Sequence, residues 1–213
     1  RMLICIFTGF SSGLPLFLLI QLIPGWLRSE GVSLAEIGLF SLIGFPYVWK
    51  FLWSPLMDRY SLPIFGRRRS WMLLTQVLLL LSIALFGFID PVVNIWHVAY
   101  LATAVALFSA SQDIVLDAYR RELLPDHELG LGNSIHVQAY RVAGLVPGSL
   151  AFILADHISW QFVFMIVAAF MLTGIILTLC IKEITTSTLP PATLRDAIHL
   201  PFTEFINRKG LRS

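Results

Sequence analysis

The sequence has little charge. Asp, Glu, Lys and Arg make up 13% of its 213 residues, against roughly 25% in soluble globular domains. With hydrophobic residues at 57% and a mean hydropathy of +0.79, too few charges remain to solvate the outside of one large helical core. A soluble domain is therefore excluded. Cysteine is also scarce. Cys5 and Cys180 lie near opposite ends of the chain, inside apolar segments, with no metal or redox spacing. No H-E-x-x-H motif, Ser/His/Asp set or Cys/His cluster is present, so the chain is not expected to be an enzyme. No metal, cofactor or nucleic-acid partner is expected either. Asp126-His127-Glu128 reads as a solvated turn and His136 as a helix-packing residue.

What is abundant is apolar sequence in stretches near 20 residues, each long enough to cross a hydrocarbon core of roughly 30 Å. Six spans are expected, at about 2–27, 34–57, 70–89, 92–119, 131–155 and 160–181. The first continues into a multi-span pattern and is too long for a cleavable leader. The expected class is an all-α integral membrane protein, with a bundle over 1–182 and a cytoplasmic segment over 183–213 that begins a second domain. Thr185 to Thr193 reads as a linker. Leu194 to Ile206 reads as an amphipathic helix, either lying in the interface or packing on that second domain.

Basic residues set the orientation. Arg1, Arg59, Arg67, Arg68, Arg69, Arg120, Arg121, Lys182, Arg195, Arg208, Lys209 and Arg212 fall on one side, and the other side holds Arg28. Lys/Arg excess marks the cytoplasmic face, so both termini are expected there. Six tryptophans lie mostly near span ends, as interfacial anchors do. Helix-disturbing residues crowd spans one, two and five: Gly9, Gly13, Pro15, Pro24 and Gly25; Gly44, Pro46 and Pro55; Gly144, Pro147 and Gly148. These helices are expected to bend while three and six support them. Gly144 and Gly148, four apart, are a small-xxx-small pattern that permits close helix contact.

Ionisable groups at membrane depth are costly and tend to face a cavity or a partner. Lys50, Asp113, Asp117 and Arg141 are of this kind. Asp113 and Asp117 lie one turn apart on one face of span four, continued by Ser109 and flanked by Gln112. Asp113 falls roughly 10 Å inside the basic end at 1.5 Å per residue. Span five carries a second polar stripe of Ser134, Gln138 and Arg141, and span two a third of Tyr47, Lys50 and Ser54. Two cations and two carboxylates are thus expected at one level of the bundle. They form either an ion-pair network that holds helices or a polar cavity for a polar substrate and a proton. In the second case Asp113 and Asp117 are the proton candidates, and Lys50 and Arg141 suit an anion.

The loop from Ser54 to Arg69 reads S-P-L-M-D-R-Y, five residues, then G-R-R-R. It resembles the cytoplasmic signature of the major facilitator superfamily, with Asp58, Arg59, Gly66, Arg67 and Arg68 in the signature places. It departs from the common form by an insertion and by Ser54 where glycine is usual. Asp58 can pair with these arginines and Arg69, or with Arg120 or Arg121, as a latch between domains. F-x-S-G-L-P at Phe10 to Pro15, the run from Tyr47 to Tyr60, F-G-R-R-R at Phe65 to Arg69, S-A-S-Q-D-I-V-L-D-A at Ser109 to Ala118 and Tyr140-Arg141 together resemble the AmpG-type muropeptide permeases over nearly the whole chain. The resemblance implies a 3+3 inverted repeat and a multi-pass protein of the bacterial inner membrane. It implies proton-driven import of anhydro-muropeptides, which serves peptidoglycan recycling and β-lactamase induction. It also implies a second helical domain, absent from this sequence, so that the chain is expected to be one half. A permease for another bulky anion such as an acyl-CoA, and a non-transporting fragment, remain alternatives.

Overall fold

The computed structural model describes residues 1–60 and 65–184. Among them are six helices long and apolar enough to cross a membrane: Met2–Ser29, Leu34–Leu52, Arg67–Phe86, Ile95–Leu123, Asp126–Ala155 and Trp160–Cys180. They are called spans one to six. The expected boundaries agree within a few residues except at span two, which ends at Leu52 and not near 57, span four, which continues to Leu123, and span five, which is counted from Asp126. The expected linker and amphipathic helix beyond Ile184 lie outside the described residues.

The bends follow the prolines. Span one leaves α geometry for a π segment at Leu18–Leu22, just before Pro24 restarts the helix. Span five does so at Val146–Leu150, around Pro147. Span two alternates between α and 3-10 turns: Phe40–Gly44 is 3-10, Phe45–Trp49 is α with Pro46 in its first turn, and Lys50–Leu52 is 3-10 again. A short helix, Ser54–Arg59, then carries Pro55 in its first turn. A proline lacks the N–H that an α-helix needs and crowds the carbonyl four residues back, so the preceding turn adjusts. Ser33 starts span two with a capping box: Glu36 N–H donates to Ser33 Oγ at 3.3 Å and Ser33 N–H to the Glu36 carboxylate at 3.2 Å. Span six departs from expectation. It is interrupted at Phe170–Met171 without a proline, and Thr173 Oγ donates to Phe170 O there at 2.7 Å.

Span one is the hub. It packs along span five and also touches spans four and six, while span three packs on spans four and six. Span two is peripheral, resting on span four and the far end of span one. Spans two, four, one and five therefore make one face of the bundle, and spans three and six back it. The main core gathers Leu14, Leu18, Leu79, Ile83, Val105 and Val167. At the end opposite the basic loops it closes with Trp26 against Phe86, Trp160 and Phe164, at centroid distances of 6.2, 6.4 and 4.9 Å. Trp26 is 2% exposed and so is a core residue, not an interfacial anchor. Trp96, 71% exposed beside Tyr100, fits the anchor role.

The tightest helix contact is not at Gly144 and Gly148, where the pattern was expected to act. Those two face the side chains of Phe17 and Gln21. Backbone meets backbone instead at Gly9 and Gly13, where an added Cβ would collide with the carbonyl oxygens of His136 and Tyr140. Only hydrogen fits there, so the small residues of span one set the spacing to span five. Thr8 Oγ and His136 Nδ1, 3.3 Å apart, lock the same seam, in keeping with a packing role for His136.

The seam makes Gly13→Ala destabilising by about 1–3 kcal/mol, the range for overpacking a tight contact. Gly130→Ala, where nothing stands within 4 Å of the added carbon, should leave stability unchanged or raise it slightly. Thermal melting of purified protein in detergent checks both.

Candidate functional site

Asp113 sits where the four helices of one face meet. Its Oδ1 accepts from Ser12 Oγ of span one at 2.6 Å. Lys50 on span two, and Asp117 and Arg120 one and two turns along span four, are the charges within its electrostatic reach. The phenol groups of Tyr47 on span two and Tyr140 on span five also lie in its field. Lys50 makes no hydrogen bond or ion pair among the described residues, so its ammonium is available at the edge of the site. Asp117 is shallower: its side chain is 54% exposed and is held by Arg120 at 2.8 Å. Arg120 reaches on to Asn133 of span five at 2.9 Å.

Behind Asp113 the polar groups are buried. Ser109 and Gln112 are both 0% exposed. Gln112 Nε2 donates to Ser11 Oγ at 2.8 Å, tying span four to span one. On the backing layer, Thr178 Oγ of span six donates to Gln76 Oε1 of span three at 2.8 Å. Gly174 lets Ser11 and Gln76 approach the same point of span six. Ser109 Oγ, Gln112 Oε1, Gln76 Nε2 and Tyr47 Oη are shut off from solvent without a partner among the described residues. The hydroxyls of Tyr47 and Ser109 face each other without reaching full hydrogen-bond geometry. Unsatisfied buried groups cost about 1–3 kcal/mol each, so these atoms mark where the packing leaves polar groups short of bonds.

The structure corrects the expected convergence on span five. Arg141 is exposed and has no hydrogen bond or ion pair from its side chain among the described residues. It is not among the charges that act on Asp113. Gln138 and Ser134 line a separate open crevice with Ile6, Phe10 and Ile135. The reason is angular. At 100° per residue Gln138 and Tyr140 point to nearly opposite faces of the helix, and Tyr140 takes the face toward span one, its ring centroid 5.4 Å from that of Phe17 and tilted 59° to it. Span five thus brings Tyr140 to Asp113 where Gln138 and Arg141 were expected. Ser11, Gln76 and Thr178 were also missed, because single uncharged polar residues in apolar helices carry no sequence signal that separates site from packing, and Ser12 entered only as part of the motif from Phe10 to Pro15.

The basic end holds a second cluster. Arg68 is clamped between Asp58, 2.6 Å from Nη1, and Glu122, 2.9 Å from Nη2. Arg67 reaches Glu122 at 3.6 Å and the backbone oxygen of Asp58 at 3.4 Å. Glu183 accepts from the backbone N–H groups of Arg68 at 2.9 Å and Arg69 at 3.1 Å, capping span three. Gly66 makes this possible. Its φ is +95°, and a side chain there would meet Glu183 at 2.6 Å. Arg69 in turn donates to the oxygens of Thr178 and Leu179, the open end of span six, at 3.0 Å each. Arg59 lies over the Tyr60 ring at 5.7 Å. Asp58 therefore pairs with Arg68 and not with Arg120 or Arg121, which are taken by Asp117 and, at 2.9 Å, by Asp126. Arg120 and Arg121 leave the expected latch, and Glu122 and Glu183 enter it.

Comparison with known proteins supplies the context. The Major Facilitator Superfamily model matches residues 5–212. An uncharacterized protein of Haemophilus influenzae is 49% identical over 213 residues, covering 99% of this chain and 50% of the relative. The anhydromuropeptide permease of Escherichia coli K12 is 46% identical over 211 residues, covering 99% of this chain and 43% of the permease. The putative transporter AmpG 1 of Rickettsia conorii is 35% identical over 181 residues, covering 83% of this chain and 43% of that protein. The chain thus spans half or less of the length of these relatives.

Glu122 is the acidic centre of the basic-end cluster, its side chain 14% exposed. Glu122→Gln leaves two guanidinium groups short of a carboxylate and should cost about 3 kcal/mol, read as a fall in melting temperature. Asp126→Asn removes a pair whose side chains are 63% and 85% exposed and should have no measurable effect.

Proposed function

Because this chain belongs to the Major Facilitator Superfamily, we propose that it forms the first half of a proton-coupled importer of anhydro-muropeptides in the bacterial inner membrane. Its family and permease relatives make it a transporter chain, not an enzyme. The observation that carries the substrate reading is 46% identity to an anhydromuropeptide permease over 99% of the chain. The geometry adds a place for the chemistry. Asp113 stands at the junction of spans one, two, four and five, with Lys50, unpaired among the described residues, and the phenols of Tyr47 and Tyr140 around it. A sugar–peptide offers hydroxyls and amides to the phenols and Gln112, and a carboxylate to Lys50.

In the proposed cycle a second helical domain faces spans one, two, four and five, and the substrate lies between the two halves near the midplane. Asp113 takes and releases the driving proton, and its bond from Ser12 reports that exchange to span one. Asp117, held by Arg120, connects Asp113 to the basic side. Both termini lie in the cytoplasm, as the Lys/Arg asymmetry supports, and spans one to three and four to six form the inverted repeat. Asp58, Gly66, Arg67, Arg68, Arg69, Glu122 and Glu183 hold the cytoplasmic end as one unit while the halves rock. Gln138 and Arg141 serve at the margin of the pathway. Their exposure, and that of Lys50, would also fit a different bulky anion such as an acyl-CoA.

The test is uptake of labelled anhydro-muropeptide into proteoliposomes under an imposed pH gradient, with the complete carrier that includes this chain. Gradient-dependent uptake is expected, falling by roughly tenfold or more in Asp113→Asn, since a polar group at membrane depth is retained for function. Uptake of an acyl-CoA in its place would replace the substrate assignment. Absence of any uptake by folded protein would remove it.

A further inference from the structure

The π segments of spans one and five, Leu18–Leu22 and Val146–Leu150, lie against each other. A π turn takes one more residue than an α turn, so it re-aims the side chains around it and recurs at functional positions. Here the paired segments bring Gln21 onto Gly148. A carbon added at Gly148 would meet Oε1, Cδ and Nε2 of Gln21 before any other side chain. The glycine is therefore the seat on which the Gln21 amide rests. One turn back, Phe17 faces Gly144 in the same way and lies beside Tyr140. Gln21 is exposed, and its side chain makes no hydrogen bond among the described residues. It stands roughly 12 Å inside the end of span one at Ser29, at 1.5 Å per residue, so the amide is at membrane depth.

An amide carried to that depth needs a partner, and a lipid tail offers none. The open side of span one is flanked by span five at Gly148 and by span two, where Phe40 and Ile43 share a recess with Leu19 and Ile23. A facing domain would meet the two flanks first, and the middle helix then lines the gap between the halves. Gln21 lies roughly 13 Å beyond Ser12 along the helix, and so at the opposite end of that gap from Lys50 and Asp113. The two ends differ in chemistry. Lys50 offers a charge, which a carboxylate answers. The Gln21 amide offers two donors and an acceptor without charge, which hydroxyl groups answer. We propose that Gln21, seated on Gly148, is a specificity residue that takes the sugar end of the transported molecule, with the peptide lying toward Lys50. The assignment rests on the sugar–peptide reading above and adds the direction in which the substrate lies.

The experiment measures uptake of labelled anhydro-muropeptide by the complete carrier in proteoliposomes. Gln21→Ala should raise KM by about fivefold, the loss of one neutral hydrogen bond, with kcat and melting temperature little changed. Gly148→Ala should raise KM as well, by pushing the amide off its seat. In the double variant the second change should add nothing, because the atoms that its Cβ meets are gone. Direction is read by alkylation of Gln21→Cys in a carrier with no other accessible cysteine. A bromoacetyl group on the sugar should label it, and one at the peptide terminus should not. Unchanged KM in both single variants, a fall in kcat or melting temperature without a rise in KM, labelling from the peptide terminus, or labelling from neither end overturns the assignment and leaves the transport reading standing. No uptake by folded wild-type carrier overturns both readings.

Discussion

Hydrocarbon offers no hydrogen bonds, and this one constraint arranges the molecule. Every polar side chain carried across the membrane must find a partner inside the bundle or face a wet cavity. Ser11, Ser12, Gln76, Ser109, Gln112 and Thr178 are all buried and sit on spans one, three, four and six. Their bonds run between helices, Gln112 to Ser11 and Thr178 to Gln76, so satisfying them also fixes how the helices pack. Span one can stand at the centre of this network because Gly9 and Gly13 remove the bulk that would hold span five away. On the face left over, where Asp113 meets Ser12, Lys50, Tyr47 and Tyr140, partners are incomplete among the described residues.

The two charged regions use opposite designs. At the basic end, cations and carboxylates answer one another: Arg68 has Asp58 and Glu122, and Glu183 has two helix N–H groups. Among the described residues of that cluster, Glu122 Oε2 alone is buried without a hydrogen bond. Around Asp113, among the described residues, a lysine lacks a partner and four buried polar atoms lack bonds. The first arrangement suits a part that must keep its shape, the second a part that must bind something.

Much of this was legible in the sequence, for identifiable reasons. Span number followed from apolar length. The bends of spans one, two and five followed from their prolines, whose missing N–H acts locally and leaves a sequence mark. Asp113 followed from the cost of a charge at depth. Legibility ended where the answer depended on which way a helix is turned. The stripe of Ser134, Gln138 and Arg141 is real, but rotation of span five presents Tyr140 to the site in its place. Gly144 and Gly148 matched a known pattern, yet the backbone contact belongs to Gly9 and Gly13, because span one, not span five, is surrounded. Glu183 lay too far along the chain from Gly66 for any spacing rule to join them. The break in span six at Phe170–Met171 has no sequence marker at all.

The bond from Glu183 to the start of span three also determines a load path. Tension on the polypeptide at Ile184, which packs on the core of the basic end, passes to Glu183, whose carboxylate is anchored on the Arg68 and Arg69 amides. The pull is then shared between span three and, through the Arg69 side chain, the final carbonyls of span six. The last turn of span six is thereby shielded from unwinding. A movement of whatever lies downstream is passed to the bundle as a whole, the way a strain-relief clip passes a tug on a cable to the housing and spares the solder joint.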